Sequence, residues 1–269
     1  MNTAPPTNLI SEPSASAQQQ QQLNQPPPQP QLPKLNVVLD LDETLVHAQI
    51  GGGQTGISQF GAVPTTNGDA QKISADTIEI RLATENEELV TVNRRPGLEH
   101  FLNASSQKFQ LYAFTASESF YAHPLLDAID PHRKYFGNRR FSRNSCTQIG
   151  EGRYTKDLSI IRLSEQQQKE DFCGRVEDTW FQRTVLVDNN PFSFVPQPSN
   201  GIPVVSWYDN PADVALSKVL QFCEQLEHLQ DVRNYLDATF HVAQTLNKFA
   251  EANGAHVFRP LDSAVTFGR

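Results

Sequence analysis

The stretch Val37-Val38-Leu39-Asp40-Leu41-Asp42-Glu43-Thr44-Leu45-Val46-His47 joins an apolar run directly to two carboxylates one residue apart. Such a run reads as a buried strand of a parallel sheet, and acids at its C-terminal end lie where open α/β folds place their ligands. Asp40 and Asp42 leave the strand on a turn, so both can reach one centre. There one can attack an electrophile while the other handles a proton. By itself the Asp-x-Asp spacing fits equally well with acids that merely cap the turn.

Three further segments repeat the pattern of an apolar strand ending in polar groups. Leu111 to Phe114 stops at Thr115 and Ser117, Val185 to Val187 stops at Asp188 and Asn189 before Pro191, and Val204 to Trp207 ends near Asp209. Right-handed crossovers would gather these tips along one edge of a parallel sheet. Pro96 opens a helix carrying Leu98, Phe101 and Leu102. Between them, Thr77 to Leu82 alternates with Ile78, Ile80 and Leu82 on one face, and Leu89 to Val92 returns after an acidic link, which predicts a β-hairpin. Downstream, Asn210-Pro211 signals a helix start. Leu216, Val219, Leu220, Cys223 and Leu226 follow at helical spacing, then Val232, Tyr235, Leu236 and Phe240 in a second helix, and the pattern fades beyond Asn247.

Composition confines the globular part to one domain. Residues 1–34 are Gln, Pro, Ser and Asn with little to bury, which predicts a disordered arm, and the Gly-rich stretch 51–75 reads as a flexible insertion. The domain is expected to run from 35 to 243 and a C-terminal tail from 244 to 269. The chain has no signal-peptide pattern and no apolar stretch long enough to span a bilayer, so a soluble protein is expected. A net charge of -8 argues against a general nucleic-acid surface. A local cluster, Arg133, Lys134, Arg139, Arg140 and Arg143, could still attract an acidic or phosphorylated peptide. Cys146, Cys173 and Cys223 are odd in number and lack metal-ligand spacing, which fits a reducing compartment.

The opening stretch resembles the first motif of the haloacid dehalogenase superfamily, and its form Asp-Leu-Asp-Glu-Thr-Leu-Val-His looks like the FCP/SCP-type small C-terminal-domain phosphatases. Phe114-Thr115-Ala116-Ser117, Arg143-Asn144-Ser145-Cys146, Tyr154-Thr155-Lys156-Asp157-Leu158-Ser159, Val185 through Pro191 and Val204 through Asp209 resemble the same branch in the same order. The resemblance implies a three-layer α/β Rossmann-like fold with a parallel sheet and a small β-hairpin insertion. It also implies magnesium-dependent dephosphorylation of phosphoserine or phosphothreonine in a protein, such as the flexible tail of RNA polymerase II. An enzyme acting on small phosphorylated metabolites and a non-catalytic interaction module remain as alternatives.

On that resemblance Asp40 is the nucleophile and forms an aspartyl-phosphate, while Asp42 protonates the leaving oxygen and later deprotonates water. Thr115 donates to a phosphoryl oxygen and Lys156 brings positive charge to the nucleophile. Magnesium would be held by Asp40, the Asp42 carbonyl and Asn189, with Asp188 holding metal-bound water or orienting its neighbour. Substrate contacts are expected from Thr44 and Arg143, with Ile78, Ile80 and Leu82 lining an apolar pocket beside the cleft. His47 is read as a helix-face or loop residue. The expected protein is a nuclear or cytoplasmic monomer whose partner is a phosphorylated protein, without direct nucleic-acid or membrane contact.

Overall fold

The structure is a computed structural model that describes residues 32–49, 76–82, 88–167 and 179–252. The arm up to residue 31, the insertion 51–75, most of the acidic hairpin link, Cys173 and residues 253–269 lie outside the described residues.

In chain order the elements are strands β1 (Asn36–Leu39), β2 (Val46–Gln49), β3 (Thr77–Arg81) and β4 (Leu89–Arg94), helix α1 (Leu98–Lys108), strand β5 (Gln110–Phe114) and helix α2 (Ser119–Ile129). Strands β6 (Arg140–Phe141), β7 (Thr147–Gly150) and β8 (Arg153–Thr155) precede α3 (Leu158–Gln167), the single turn α4 (Thr179–Gln182), β9 (Thr184–Asp188) and β10 (Gly201–Pro203). Helices α5 (Ala215–Leu226), α6 (Arg233–Phe240) and α7 (Val242–Ala252) follow.

Five strands form one all-parallel sheet in the order β10-β9-β1-β5-β6. The period of two along each strand separates two cores. Val37, Leu39, Leu111, Ala113, Val185 and Val187 face one side with Phe101 and Leu102 of α1, Leu125 of α2 and Leu220 of α5. Val38, Tyr112, Phe114 and Leu186 face the other with Leu158 and Ile161 of α3 and Val242 and Leu246 of α7. The result is the expected three-layer α/β arrangement. The chain winds outward from β1 through β5 to β6, then returns on the other side to β9 and β10. This reversal opens a crevice at the C-terminal end of β1.

The hairpin of β3 and β4 forms as its alternation predicts, but β2 joins it to make a three-stranded antiparallel sheet in the order β2-β4-β3. His47 is therefore a strand residue and is buried, not a helix-face or loop histidine. Ile80 and Leu82 are each 4% exposed within the first core, and Ile78 packs against it. The apolar face of the insertion sheet packs on the body of the domain, which keeps these three residues out of the lining of the cleft described below.

Three boundaries shift. The segment expected as a strand from Val204 to Trp207 pairs instead at Gly201–Pro203. Beyond it the chain leaves the sheet, because Trp207 N–H bonds to the Glu43 carbonyl at 2.8 Å and its indole N–H to the Asn210 carbonyl. The helix after Asn210-Pro211 starts only at Ala215. Before it come two side-chain-capped turns, Asn210 accepting from Ala212 N–H and Asp213 from Ala215 N–H. At the other end, α7 runs to Ala252 and buries Val242, Leu246 and Ala250, so a domain end at 243 would cut a packed helix. Leu246→Ala should lower stability by about 2–4 kcal/mol, read as a shift in the denaturant midpoint; a change within 0.5 kcal/mol, on the order of a surface substitution, would place α7 outside the cooperative domain.

Candidate active site

A tight turn follows β1. The Leu41 carbonyl accepts from the N–H groups of Thr44, Leu45 and Val46, and Glu43 takes the left-handed conformation with φ 57°. This turn carries Asp40 and Asp42 away from the sheet. Asp40 N–H bonds to the Val187 carbonyl at 3.0 Å, which ties the tip of β1 to the tip of β9, where Asp188 is fully buried.

Lys156 enters from the end of β8. Its Nζ lies 2.5 Å from Asp40 Oδ1 and 2.6 Å from Asp188 Oδ2, and the residue is 2% exposed. Burial alone would lower the ammonium's pKa, but Asp188 and Asp40 outweigh it and hold the group well above its ordinary value. Burial and then the neighbouring Asp188 charge push the Asp40 carboxyl up to about 8, against the opposing pull of Lys156. The acids here carry more negative charge than one lysine neutralises.

Asp42 is held differently. Its Oδ1 accepts from Tyr121 Oη at 2.7 Å, and its Oδ2 accepts from Ser117 Oγ at 2.7 Å and from Thr115 Oγ1 at 3.3 Å. Thr115 Oγ1 also accepts the Ser117 N–H. Thr44 is buried, and its Oγ1 stands 3.2 Å from Asp40 Oδ2 and 3.3 Å from Asn189 Oδ1, while Asn189 Nδ2 donates to Ser206 Oγ. Thr44 thus braces two other site residues and does not line the cleft.

Above these groups opens a cleft of about 900 Å³, lined by Asp40, Asp42, Thr115, Lys156, Asp188 and Asn189 together with Arg143, Tyr154 and Tyr208. Arg143 reaches it, but its guanidinium donates to the Ala116 carbonyl and to Glu118 Oε1 and stacks over the Tyr154 ring at 4.8 Å. Ile78, Ile80 and Leu82 are absent from the lining. Most of the basic cluster is also committed elsewhere. Arg139 donates to the carbonyls of Leu111 and Tyr135, Arg140 pairs with Asp127 and Asp130, and Lys134 donates to Asn103. The Cys146 thiol is pushed up to about 11 by burial, so it is no ready nucleophile.

The donor chemistry suits a hard divalent cation. Asp40 Oδ2 and Asn189 Oδ1 both face the Thr44 hydroxyl, and the carbonyl of Asp42 lies on the same turn. Among the described residues no trio of His, Cys, Asp and Glu side chains converges on a metal-binding point. The Asp42 carboxylate is turned toward Tyr121 and Ser117, leaving an oxygen set of carboxylate, amide and carbonyl with room for water, as magnesium prefers.

The sequence profile of the NLI interacting factor-like phosphatases matches residues 35–233. The chain belongs to that family. It is 31% identical over 76% of its length to nuclear envelope morphology protein 1 of Schizosaccharomyces pombe, and 32% identical over 83% to CTD small phosphatase-like protein 2 of Dictyostelium discoideum. It spans only 36% and 33% of those two relatives. It is 34% identical over 76% of its length to human carboxy-terminal domain RNA polymerase II polypeptide A small phosphatase 1, covering 63% of that protein. Among solved structures, the fission yeast RNA polymerase II CTD phosphatase Fcp1 bound to beryllium fluoride superposes with a TM-score of 0.45 at 17% identity, covering 84% of this chain and 68% of that one.

Sequence reasoning missed Tyr121 and read Ser117 only as a polar end of a strand; Ser117 lies on the loop before α2 and Tyr121 in the first turn of that helix, so no helical spacing joins them in the sequence. It also missed Arg95. This arginine is 1% exposed; it donates to both carboxylate oxygens of Asp213 at 2.8 and 2.9 Å, to the Thr44 carbonyl and to the Val205 carbonyl. It thereby clamps the Asp40 turn to the loop after β10, and Asp213 is held below the usual carboxylate range chiefly by this bond. Arg95→Met should cost about 3 kcal/mol, because it strips donors from a carboxylate and two carbonyls at once. Denaturant unfolding measures it, and a loss under about 1 kcal/mol, the scale of a single ordinary hydrogen bond, would contradict the clamp.

Proposed function

We propose that this protein is a magnesium-dependent protein phosphatase that hydrolyses phosphoserine or phosphothreonine through an aspartyl-phosphate on Asp40. One observation carries the reading: a buried carboxylate at the tip of β1 shares a lysine with Asp188, at the floor of an open cleft, with a second carboxylate one residue away. When bound, magnesium would neutralise the phosphate oxygens that otherwise repel an anionic nucleophile.

The chain's own groups would then act in sequence. Asp40 attacks phosphorus in line, with Lys156 and Thr44 holding one oxygen each of its carboxylate. Lys156 offers a donor to the charge that develops on the transferred group, and Thr115 does so by turning its one hydroxyl proton away from Asp42 Oδ2. Asp42 gives a proton to the departing serine or threonine oxygen, and in the second half-reaction takes one from the water that attacks the aspartyl-phosphate. Arg143 can bind peptide or phosphate only by exchanging some of its contacts with Glu118 and the Ala116 carbonyl.

The protein substrate is supported by the open cleft, walled on one side by Glu151, Gly152 and Tyr154 of the β7–β8 hairpin. Relatives named for the nuclear envelope and for the RNA polymerase II carboxy-terminal domain support a nuclear setting and a flexible phosphorylated tail as the substrate class. Among the described residues no helix is long and apolar enough to cross a membrane.

Asp40→Asn should reduce turnover of a phosphoserine peptide by ~10⁴ or more while the fold persists, because the amide cannot form the acyl phosphate. Activity within tenfold of the parent would remove Asp40 as nucleophile. Chelation should abolish turnover, magnesium restore it and calcium restore it poorly, since calcium's larger, looser shell misplaces the in-line geometry. Full activity in excess chelator would remove the metal from the scheme. A panel comparing phosphopeptides with small phosphate esters tests the substrate class, and a preference for the esters would overturn it.

A further inference from the structure

We propose that Tyr121 and Ser117 are positioning residues that pin the Asp42 carboxylate so that Oδ2 is the oxygen that carries the transferred proton. The proposal rests on the reading of Asp42 as general acid and base.

The two oxygens of Asp42 stand in different surroundings. Oδ1 is bonded to Tyr121 Oη at 2.7 Å, and Tyr121, 5% exposed in the first core, is no part of the cleft wall. Oδ2 meets Ser117 Oγ at 2.7 Å and Thr115 Oγ1 at 3.3 Å, and both of these residues line the cleft. The carboxylate is thus held from behind through one oxygen and presents the other to the side where substrate must lie.

The two partners also differ chemically. The Tyr121 phenol, buried in the core, serves Oδ1 as a donor. An aliphatic hydroxyl such as that of Ser117 donates or accepts by rotating. Oδ2 can therefore gain and lose a proton with a partner that adapts, while Tyr121 keeps the carboxyl plane fixed.

In the first half-reaction an Asp40 oxygen bonds to phosphorus. The bond from phosphorus to the serine oxygen breaks with its electron pair on that oxygen, which takes the proton from Asp42 Oδ2. In the second, the water oxygen bonds to phosphorus and its proton passes to Oδ2. The bond between Asp40 and phosphorus breaks, returning the carboxylate and releasing phosphate. The leaving group needs that proton in proportion to its basicity. A misplaced Asp42 should therefore harm an alkyl phosphate more than an aryl phosphate.

The test compares a phosphoserine peptide with p-nitrophenyl phosphate for Tyr121→Phe, Ser117→Ala, Ser117→Thr and Asp42→Asn. Tyr121→Phe, which keeps the ring and removes one oxygen, should lower kcat for the peptide by about tenfold or more and for the aryl phosphate by less than about threefold, with little change in KM for either. Ser117→Ala should show the same skew, Ser117→Thr should restore most of it, and Asp42→Asn should show the largest skew of the set. Parallel losses on both substrates in Tyr121→Phe and Ser117→Ala, or no loss on either, would overturn the positioning roles while a skewed Asp42→Asn left its role as acid standing. An unskewed Asp42→Asn would instead overturn the general-acid reading itself and the proposal with it. If Tyr121→Phe does not fold by circular dichroism, Ser117→Ala, which deletes one hydroxyl, decides the matter alone.

Discussion

The rest of this site is arranged around one buried cation, the Lys156 ammonium set between Asp40 and Asp188. Removing three charges from water costs several kcal/mol per ion, and only close, well-formed contacts offset that cost. The contacts at 2.5 and 2.6 Å require the tips of β1 and β9 to lie side by side, which the parallel register of Leu39 with Val187 provides. They also require β8 to deliver its next residue into the gap. There the Lys156 N–H bonds to the Ser193 carbonyl beyond β9. Three segments far apart in the chain are thus fixed relative to one another by a single side chain. Under the proposed function the same crowding of acids at this point is where a divalent cation would be held.

Arginine plays the complementary part away from the chemistry. Arg95 joins the turn of Asp40 to the loop after β10. Arg183 gathers the carbonyls of Pro33, Leu226, Glu227 and Leu229, so the unsatisfied end of α5 and the chain entering β1 share one guanidinium. Arg139 and Arg140 close the segment between α2 and β6 in the same manner. A planar fork with five donors suits such multiple carbonyl contacts, whereas an ammonium suits a position between two point charges. The division explains why a cluster of cations that looks in sequence like a docking surface is largely consumed inside the domain.

Much of this was legible before any coordinates. The runs ending at Asp40, Thr115 and Asp188 announce strands of a parallel sheet by their length and polarity, because a strand buried on both faces must be apolar throughout and must end where a polar group is wanted. The β3–β4 hairpin is equally plain in the alternation of Ile78, Ile80 and Leu82. What that alternation leaves open is which surface the apolar face meets. A core and an apolar pocket beside the cleft would look alike in the alternation, and only the packing of the sheet on the domain body assigns Ile80 and Leu82 to the core. The extension of α7 past residue 243 was open to the same argument from periodicity, since Val242, Leu246 and Ala250 recur at helical spacing.

By itself the sequence determined the order of the strands' polar tips, because that follows from local periodicity, while the roles expected of the residues there came from the resemblance of its motifs to a known family. Only the tertiary structure decided how each group is held. Asp42 finds Tyr121 and Ser117 across 79 and 75 residues, Lys156 finds Asp40 across 116, and Arg95 finds Asp213 across 118. Such pairings are set when the sheet closes and the crossovers return. A one-dimensional pattern carries no signal for them, because the free energy that selects a partner depends on which donor lies within three ångströms once the backbone is in place.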